Sequence, residues 1–311
     1  MLIFISPGQG AQRPGMLAPW LADPTAKKQL ETLDACVEFD LLAAGTTWDA
    51  DRIRDTRIAQ PLIFATSLVS AYAALTAHTK PAAVTGHSVG EWCAAVLAGV
   101  LTATDAMTLV AARGNAMALA CEEEPTGLCA VLGGDQDEVT EAATARGLAL
   151  ANNNGPGQLV FGGTREQLDS FAVTPPSKAR IRALEVAGAF HTEAMHPAVA
   201  QVSENAATYA VNDADIPLIS NRDGSMVTNG RQILDRLVDQ IALPVRWDLV
   251  METMTAIEST VAIETCPSGT LSGILRRNVK SVTTRTVDTP QDAQALLTTD
   301  LRTSELTGAH R

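Results

Sequence analysis

Short apolar runs alternate along this chain with longer stretches whose apolar residues recur at helical spacing. Residues 2–5, 82–85, 217–220 and 260–264 are runs of the first kind and predict strands. Residues 61–77, 91–98, 103–119, 232–240 and 247–255 are of the second kind and predict helices, several of them apolar on all sides. Strands without polar alternation, separated by helices, imply a parallel sheet covered on both faces. Between residues 127 and 186 the rhythm changes. It reads strand (128–132), helix (136–146), strand (148–152), strand (158–161), helix (164–171), strand (181–186). That β-α-β-β-α-β order is the split βαβ or ferredoxin-like unit. The expected fold is therefore α/β: a parallel-sheet domain formed by residues 1–124 and 188–300, interrupted by a ferredoxin-like subdomain at 125–187. Glu122-Glu123-Glu124-Pro125 marks the entry hinge and Ala187-Gly188 the exit, and residues 301–311 are expected to fray.

Composition narrows the class. A chain of 311 residues, 46% hydrophobic and 19% charged, has ample material for a buried core. A net charge of −12 opposes general nucleic-acid binding. No apolar run is read as long enough to cross a bilayer, and residues 1–5 lack the basic flank of a signal peptide. The five cysteines are odd in number and show no C-x-x-C spacing, so neither disulfides nor a structural zinc site is expected, and a reducing cytoplasm fits best. No two histidines sit at metal-ligand spacing on a helix, so no metal or other cofactor is expected.

The candidate chemistry begins at Gly86-His87-Ser88-Val89-Gly90, between the run at 82–85 and a helical pattern from Glu91. Strand, sharp turn, helix is the setting of a nucleophile elbow, in which glycines permit a strained turn that presents a serine Oγ. The Val89 N–H opens the helix, where donors are unpaired and the dipole favours negative charge. A second oxyanion donor is expected from the loop after the first strand, Pro7-Gly8-Gln9-Gly10, at the Gln9 backbone. A serine nucleophile needs a base, and five histidines are available. His310 lies in the tail, His78 at a helix end, and His87 inside the elbow. His191 follows a small-residue loop after a predicted strand and is the first candidate, with His196 second and an ordinary surface histidine the bland alternative. Arg113 is a single cation in an apolar helix of small residues. It either reaches the surface or is buried against an anion, for which a carboxylate matches its two-pronged geometry.

Pro7-Gly8-Gln9-Gly10-Ala11-Gln12, Gly86-His87-Ser88-Val89-Gly90-Glu91, Arg113-Gly114, Gly188-Ala189-Phe190-His191 and Pro244-Val245-Arg246-Trp247 occur in this order. Together with residues 152–158 and 264–271 they closely resemble the malonyl-CoA:acyl-carrier-protein transacylase family, over nearly the whole chain to about residue 275. The resemblance implies an α/β-hydrolase-like core carrying the ferredoxin-like insertion. It implies that Ser88 becomes malonyl-serine, that His191 is its base and later its acid, and that Gln9 and Val89 form the oxyanion hole. Arg113 would pair with the free malonyl carboxylate. The main-chain carbonyl of Gln240 would orient the histidine in place of a triad carboxylate. Phe190 would fill the space of an α-methyl group, where methylmalonyl-specific relatives tend to carry serine. His87, Met117 and Asn154 complete the expected substrate-binding residues.

Malonyl-CoA and an acyl carrier protein are the implied partners. Because carrier proteins are acidic, docking would need a local basic patch, either Lys178, Arg180 and Arg182 or Arg276, Arg277 and Lys280. Two departures stand out: Ser268 where relatives often have glycine, and the bulky Trp92 and Cys93 beneath the elbow. The competing readings are an esterase or thioesterase of the α/β-hydrolase class, a transacylase loading the carrier subunit of a malonate decarboxylase, and a binding module with a dead site.

Overall fold

The computed structural model describes residues 1–75 and 81–298; His78, His310 and the tail expected to fray lie outside the described residues. Its strands are β1 (Leu2–Ser6), β2 (Ala83–Gly86), β3 (Thr126–Gly133), β4 (Ala149–Asn153), β5 (Gln158–Thr164), β6 (Ala179–Ala183), β7 (Leu218–Ile219), β8 (Met226–Val227), β9 (Val245–Arg246), β10 (Val261–Thr265) and β11 (Thr283–Val287). One sheet has the order β11-β10-β1-β2-β7-β8 and the other β6-β3-β5-β4-β9. The fold is mixed α/β.

The first sheet is parallel from β11 to β7. Side chains alternate across it: Phe4, Val84 and Ile263 join the core on one face, and Ile3, Ile5, Ala83 and Ala262 join the core on the other. That two-sided burial is why these strands read as unbroken apolar runs. The expectation of a purely parallel sheet is corrected at its edge. β8 runs antiparallel to β7, because the tight turn between them, closed by Ser220 N–H to Ser225 O at 3.0 Å, leaves no length for a crossover.

The helix Thr56–Leu75 begins five residues before Pro61, the expected start. Asp55 caps it, accepting the Arg57 N–H at 2.8 Å, so Pro61 lies inside the helix. This helix also corrects the reading that no apolar run could span a bilayer. At 20 residues and mean hydropathy 1.5 it is long and apolar enough by length and composition. It is apolar on all sides because it is packed inside the protein against the helix Ala103–Glu123, with Leu62, Ile63, Phe64 and Leu68 buried. That second helix runs past the expected end at 119, so Glu122 and Glu123 form its last turn and the connection to β3 starts at Glu124. Glu122 there pairs with Arg57 at 2.5 Å.

In the second sheet β6, β3, β5 and β4 are antiparallel neighbours, with the helices Gln136–Thr144 and Arg165–Val173 closing their own core around Phe161 and Phe171. β9 adds a fifth strand, parallel to β4, from beyond residue 188. This pairing sets Asn152 opposite Val245 and Asn153 opposite Arg246, and so brings the β4–β5 turn to the carboxyl end of the first sheet. The Arg246 N–H then donates to Asn221 O at 2.8 Å, tying β9 to the loop after β7. Trp92 and Cys93 pack fully buried, and Ser268 donates from Oγ to Asp288 at 2.6 Å.

Candidate active site

β1 and β2 deliver two loops to one end of the first sheet. After β2 the chain turns through Ser88 at φ +54°, a left-handed conformation that a non-glycine residue adopts only when its surroundings enforce it. A side chain at Gly86 would lie 2.1 Å from the Gly90 carbonyl, and one at Gly90 would lie 2.1 Å from the Ser6 carbonyl. The spacing of the motif is thus a steric demand of the turn. Asn221, after β7, holds the turn from below: its Oδ1 accepts the Ser88 N–H at 2.9 Å and its Nδ2 donates to Gly86 O at 2.7 Å. Val89 precedes the helix Gly90–Leu97 with no side-chain cap. Among the described residues neither its N–H nor that of Gln9 has a hydrogen-bond acceptor. The Gln9 side chain is anchored away from the loop, donating to Thr56 Oγ1 at 3.2 Å.

His191 also sits in the left-handed region, at φ +63°, with its N–H bonded to Ile241 O at 3.1 Å. Its Nε2 lies 2.8 Å from Ser88 Oγ and its Nδ1 lies 2.7 Å from the Gln240 carbonyl. A carbonyl can only accept, so Nδ1 carries the proton and Nε2 is bare to receive one from the serine. Burial, followed by the neighbouring Arg113 cation, lowers the His191 pKa to about 3, so the ring is neutral. His196 is exposed at the start of the helix His196–Ala206, and the ring bonded to Ser88 Oγ is that of His191. His87 turns away from Ser88 towards Asn154, with Nε2 to Oδ1 at 3.0 Å and its ring 5.7 Å from that of Trp247. Loss of water around this ring lowers its pKa to about 4.

Arg113 reaches into the same space from the helix Ala103–Glu123 and is 0% exposed. Its guanidinium donates to Gln60 Oε1, to Ser88 Oγ at 3.3 Å and to Gln240 Oε1 at 3.3 Å. Its Nε has no hydrogen-bond partner among the described residues. Burial lowers its pKa to about 9, with Glu91 opposing as a distant charge. Among the described residues it forms no ion pair. A buried guanidinium that meets only amide and hydroxyl oxygens keeps an uncompensated charge and a two-pronged donor geometry that suits a carboxylate. Met117, one turn on, is buried and takes a contact from Gln60 Nε2 at 3.4 Å. The Phe190 ring is buried in the main core and makes no polar contact with the site.

Gln60, Asn221 and Glu91 were not singled out from the sequence. Gln60 is a polar residue in an otherwise apolar helix beside Pro61, and Asn221 follows the last apolar residue of a strand on the loop end of the sheet. Those are usable signals. Glu91 is buried behind the nucleophile, with Oε1 accepting the Asn221 N–H at 3.0 Å and Oε2 accepting from Gln240 Nε2. Among the described residues no cluster of three metal-ligating side chains occurs.

A neutral histidine on a strained serine, two free backbone donors and a buried cation describe an acyl-transferring site. Residues 3–305 match the acyl transferase domain family. The malonyl CoA-acyl carrier protein transacylase of Mycobacterium tuberculosis is 45% identical over 300 residues, covering 95% of this chain and 99% of that protein. The crystal structure of MCAT from Mycobacterium tuberculosis superposes with a TM-score of 0.91 at 44% identity, covering 96% of this chain and 99% of that one. A type II PKS acyl-carrier protein in complex with its malonyl-transacylase gives 0.89 at 25% identity, over 96% and 99% of the two chains. The chain belongs to the malonyl CoA-acyl carrier protein transacylase family, whose members are acyltransferases.

Proposed function

We propose that the protein moves a malonyl group from malonyl-CoA to the phosphopantetheine thiol of an acyl carrier protein through a malonyl ester on Ser88. The observation that carries this reading is Arg113: a fully buried cation with no counter-ion among the described residues, 3.3 Å from the serine Oγ that would bear the acyl group. In the first half-reaction Ser88 Oγ attacks the thioester carbonyl and its proton passes to His191 Nε2. The Gln9 and Val89 N–H groups take the oxyanion. Collapse breaks the carbon–sulfur bond, and the departing coenzyme A sulfur takes the proton back from His191. The carrier-protein thiol then repeats the sequence in reverse, and Ser88 recovers its proton. One thioester is exchanged for another, and the step balances with these groups alone, so no resident cofactor or metal is called for.

The malonyl carboxylate does more than orient the acyl chain. Arg113 is the second cause of the low basicity of His191. A carboxylate bound to Arg113 cancels that charge and raises the basicity of the imidazole when the right substrate is present; an acetyl group leaves it low.

Several finer readings rest on the same footing. The first sheet is an α/β-hydrolase-like core, and the order β6-β3-β5-β4 with two covering helices supports a ferredoxin-like subdomain at 125–187, docked through β9 on a domain of residues 1–124 and 188–300. The carrier protein docks at Arg276 and Arg277, because Arg277 donates at 2.9 Å to Gln158, the first residue of β5, next to the turn that carries Asn154. Arg180 and Arg182 lie on β6, three strands from β4, roughly 14 Å away at the usual strand spacing. The unpaired cysteines suit a cytoplasmic setting.

Incubation with radiolabelled malonyl-CoA and with acetyl-CoA, followed by peptide mapping, tests the proposal. The expected result is stable malonyl on Ser88, discharged by a carrier-protein thiol, and faint acetyl label. Release of free malonate would make the protein a thioesterase instead, and no label at all would leave a binding module.

A further inference from the structure

Two buried glutamates lie near the carboxyl ends of the first sheet, and they are used differently. Glu264 accepts the N–H groups of Leu271 and Ser272, at 2.9 and 2.8 Å, and so fixes the start of a helix. Glu91 has no such local duty. Its Oε1 takes the N–H of Asn221 and its Oε2 takes the side-chain amide of Gln240. Each of these two partners then holds part of the machinery. Asn221 Oδ1 accepts the Ser88 N–H at 2.9 Å and a second bond from Gln240 Nε2 at 3.1 Å. Gln240 offers its main-chain carbonyl to His191 Nδ1 and its side-chain Oε1 to Arg113. Nucleophile, base and carboxylate receptor are all one residue removed from the same carboxylate.

We infer that ionised Glu91 is a positioning residue for acyl transfer, locking Gln240 and Asn221 so that Ser88, His191 and Arg113 are aligned together. The inference rests on the transacylase reading for its substrate, although not for its geometry. Both Glu91 oxygens accept N–H groups, and a proton on the carboxylate removes the charge that strengthens those bonds. A weakened hold frees the Gln240 amide to turn, which takes its Oε1 from Arg113 and strains the carbonyl that fixes the histidine tautomer. Glutamine at position 91 has the same defect, since one of its two ends is a donor. The groups facing Glu91 are the Asn221 N–H and Ser220 hydroxyl from the loop after β7, the Arg236 cation on the helix Gly230–Asp239 and Gln240 that caps it, and Arg113 more distantly from the helix Ala103–Glu123. Burial outweighs these and raises the Glu91 pKa to about 7. His191 stays neutral throughout that range. An acid limb of the rate near pH 7 therefore belongs to Glu91.

The test measures two rates from pH 5.5 to 8.5: malonyl transfer, and inactivation by a fluorophosphonate that modifies Ser88 whatever the natural acyl donor. In the wild type both rates are expected to fall about tenfold between pH 8 and pH 6, the behaviour of one ionisation near 7. Glu91→Gln is expected to be at least about tenfold slower at pH 8 and flat with pH, while Glu91→Asp, which keeps a carboxylate, recovers a limb. An unchanged limb in Glu91→Gln overturns the inference. If neither variant folds, carbon-13 NMR of glutamate carboxyls in the wild type decides: a buried carboxyl must titrate together with the rate, and its absence overturns the inference. A wild type that reacts with the fluorophosphonate and ignores malonyl-CoA breaks the transacylase reading alone.

Discussion

Arg246 and Arg113 are both arginines beside the cleft, and the chain treats them in opposite ways. Arg246, at the edge of the second sheet, meets Asp248 with two parallel bonds, Nε to Oδ1 at 2.9 Å and a terminal nitrogen to Oδ2 at 2.7 Å. Asp248 also accepts from Asn153 at 2.9 Å. Arg113 lies deeper, where losing water costs a cation most, and has amide and hydroxyl partners with an unpaired Nε. Where the fold needs a cation, it supplies the carboxylate with it. Where no carboxylate among the described residues meets the cation, one is expected to arrive with the substrate, and the cost of burying Arg113 alone is a measure of that function.

Methionine in place of each arginine breaks the comparison in opposite directions, and this is the largest effect expected. Arg113→Met should reduce malonyl loading by about 3–5 kcal/mol, the cost of losing one partner of a buried charge pair, or roughly two to four powers of ten in rate. Acetyl loading should change far less, and the thermal midpoint should hold or rise because a desolvated cation is gone. Arg246→Met should lower stability by about 1 kcal/mol or less, since that pair is partly exposed, and leave the malonyl-to-acetyl ratio where it was. Equal loss of malonyl and acetyl loading in Arg113→Met would remove the assigned role.

The contrast was only half legible in the sequence. Ser88 and His191 could be read because their turns have steric signatures: small residues at Gly86, Gly90, Gly188 and Ala189 flank each one. The two main-sheet strands at 82–85 and 260–264 could be read because burial on both faces leaves no polar alternation to confuse with anything else. Arg113 was ambiguous, since a lone cation on an apolar helix fits snorkelling as well as burial, and only the packing of the helix 56–75 over it decides. The start of that helix was misplaced because Pro61 mimics a first helical position while Asp55 is the actual cap. β9 is two residues long and owes its existence to Asn152 and Asn153 across the pairing, so no local pattern announces it. Asn221, Gln240 and Glu91 meet through contacts 19 to 149 residues apart, which no periodicity encodes.

The base side of the site gives the next effect. The folded-state pKa of His191, about 3, lies below its ordinary 6.5, so between those values the unfolded chain binds a proton that the folded chain refuses. Stability must therefore fall as pH drops through this window, by about 1.4 kcal/mol per unit from this group, or roughly 2 kcal/mol between pH 6.5 and 5. Urea denaturation at the two pH values should show His191→Gln losing less than the wild type by about that amount. An identical pH dependence in both proteins would mean that the folded imidazole titrates as the unfolded one does, and so is not held neutral by its burial beside Arg113.

The smallest effect concerns the uncharged side of the acyl group. Arg113 can fix a carboxylate without sensing what the α-carbon carries, so discrimination against a methyl branch must come from shape. Phe190 directly precedes His191, and its ring is 5% exposed within the core that includes Met117. A single methyl group is worth only ~1–3 kcal/mol of discrimination, so Phe190→Ser should raise the methylmalonyl-to-malonyl ratio of kcat/KM by about 10-fold or somewhat more. The same change removes a buried ring, and deletions of that kind cost about 3–5 kcal/mol of stability. The ratio is the informative quantity, because a general loosening of the core slows both substrates and leaves it unchanged. A ratio that stays at the wild-type value in a folded variant would make Phe190 a packing residue and send the search for the α-carbon contact to Met117 and Gln60.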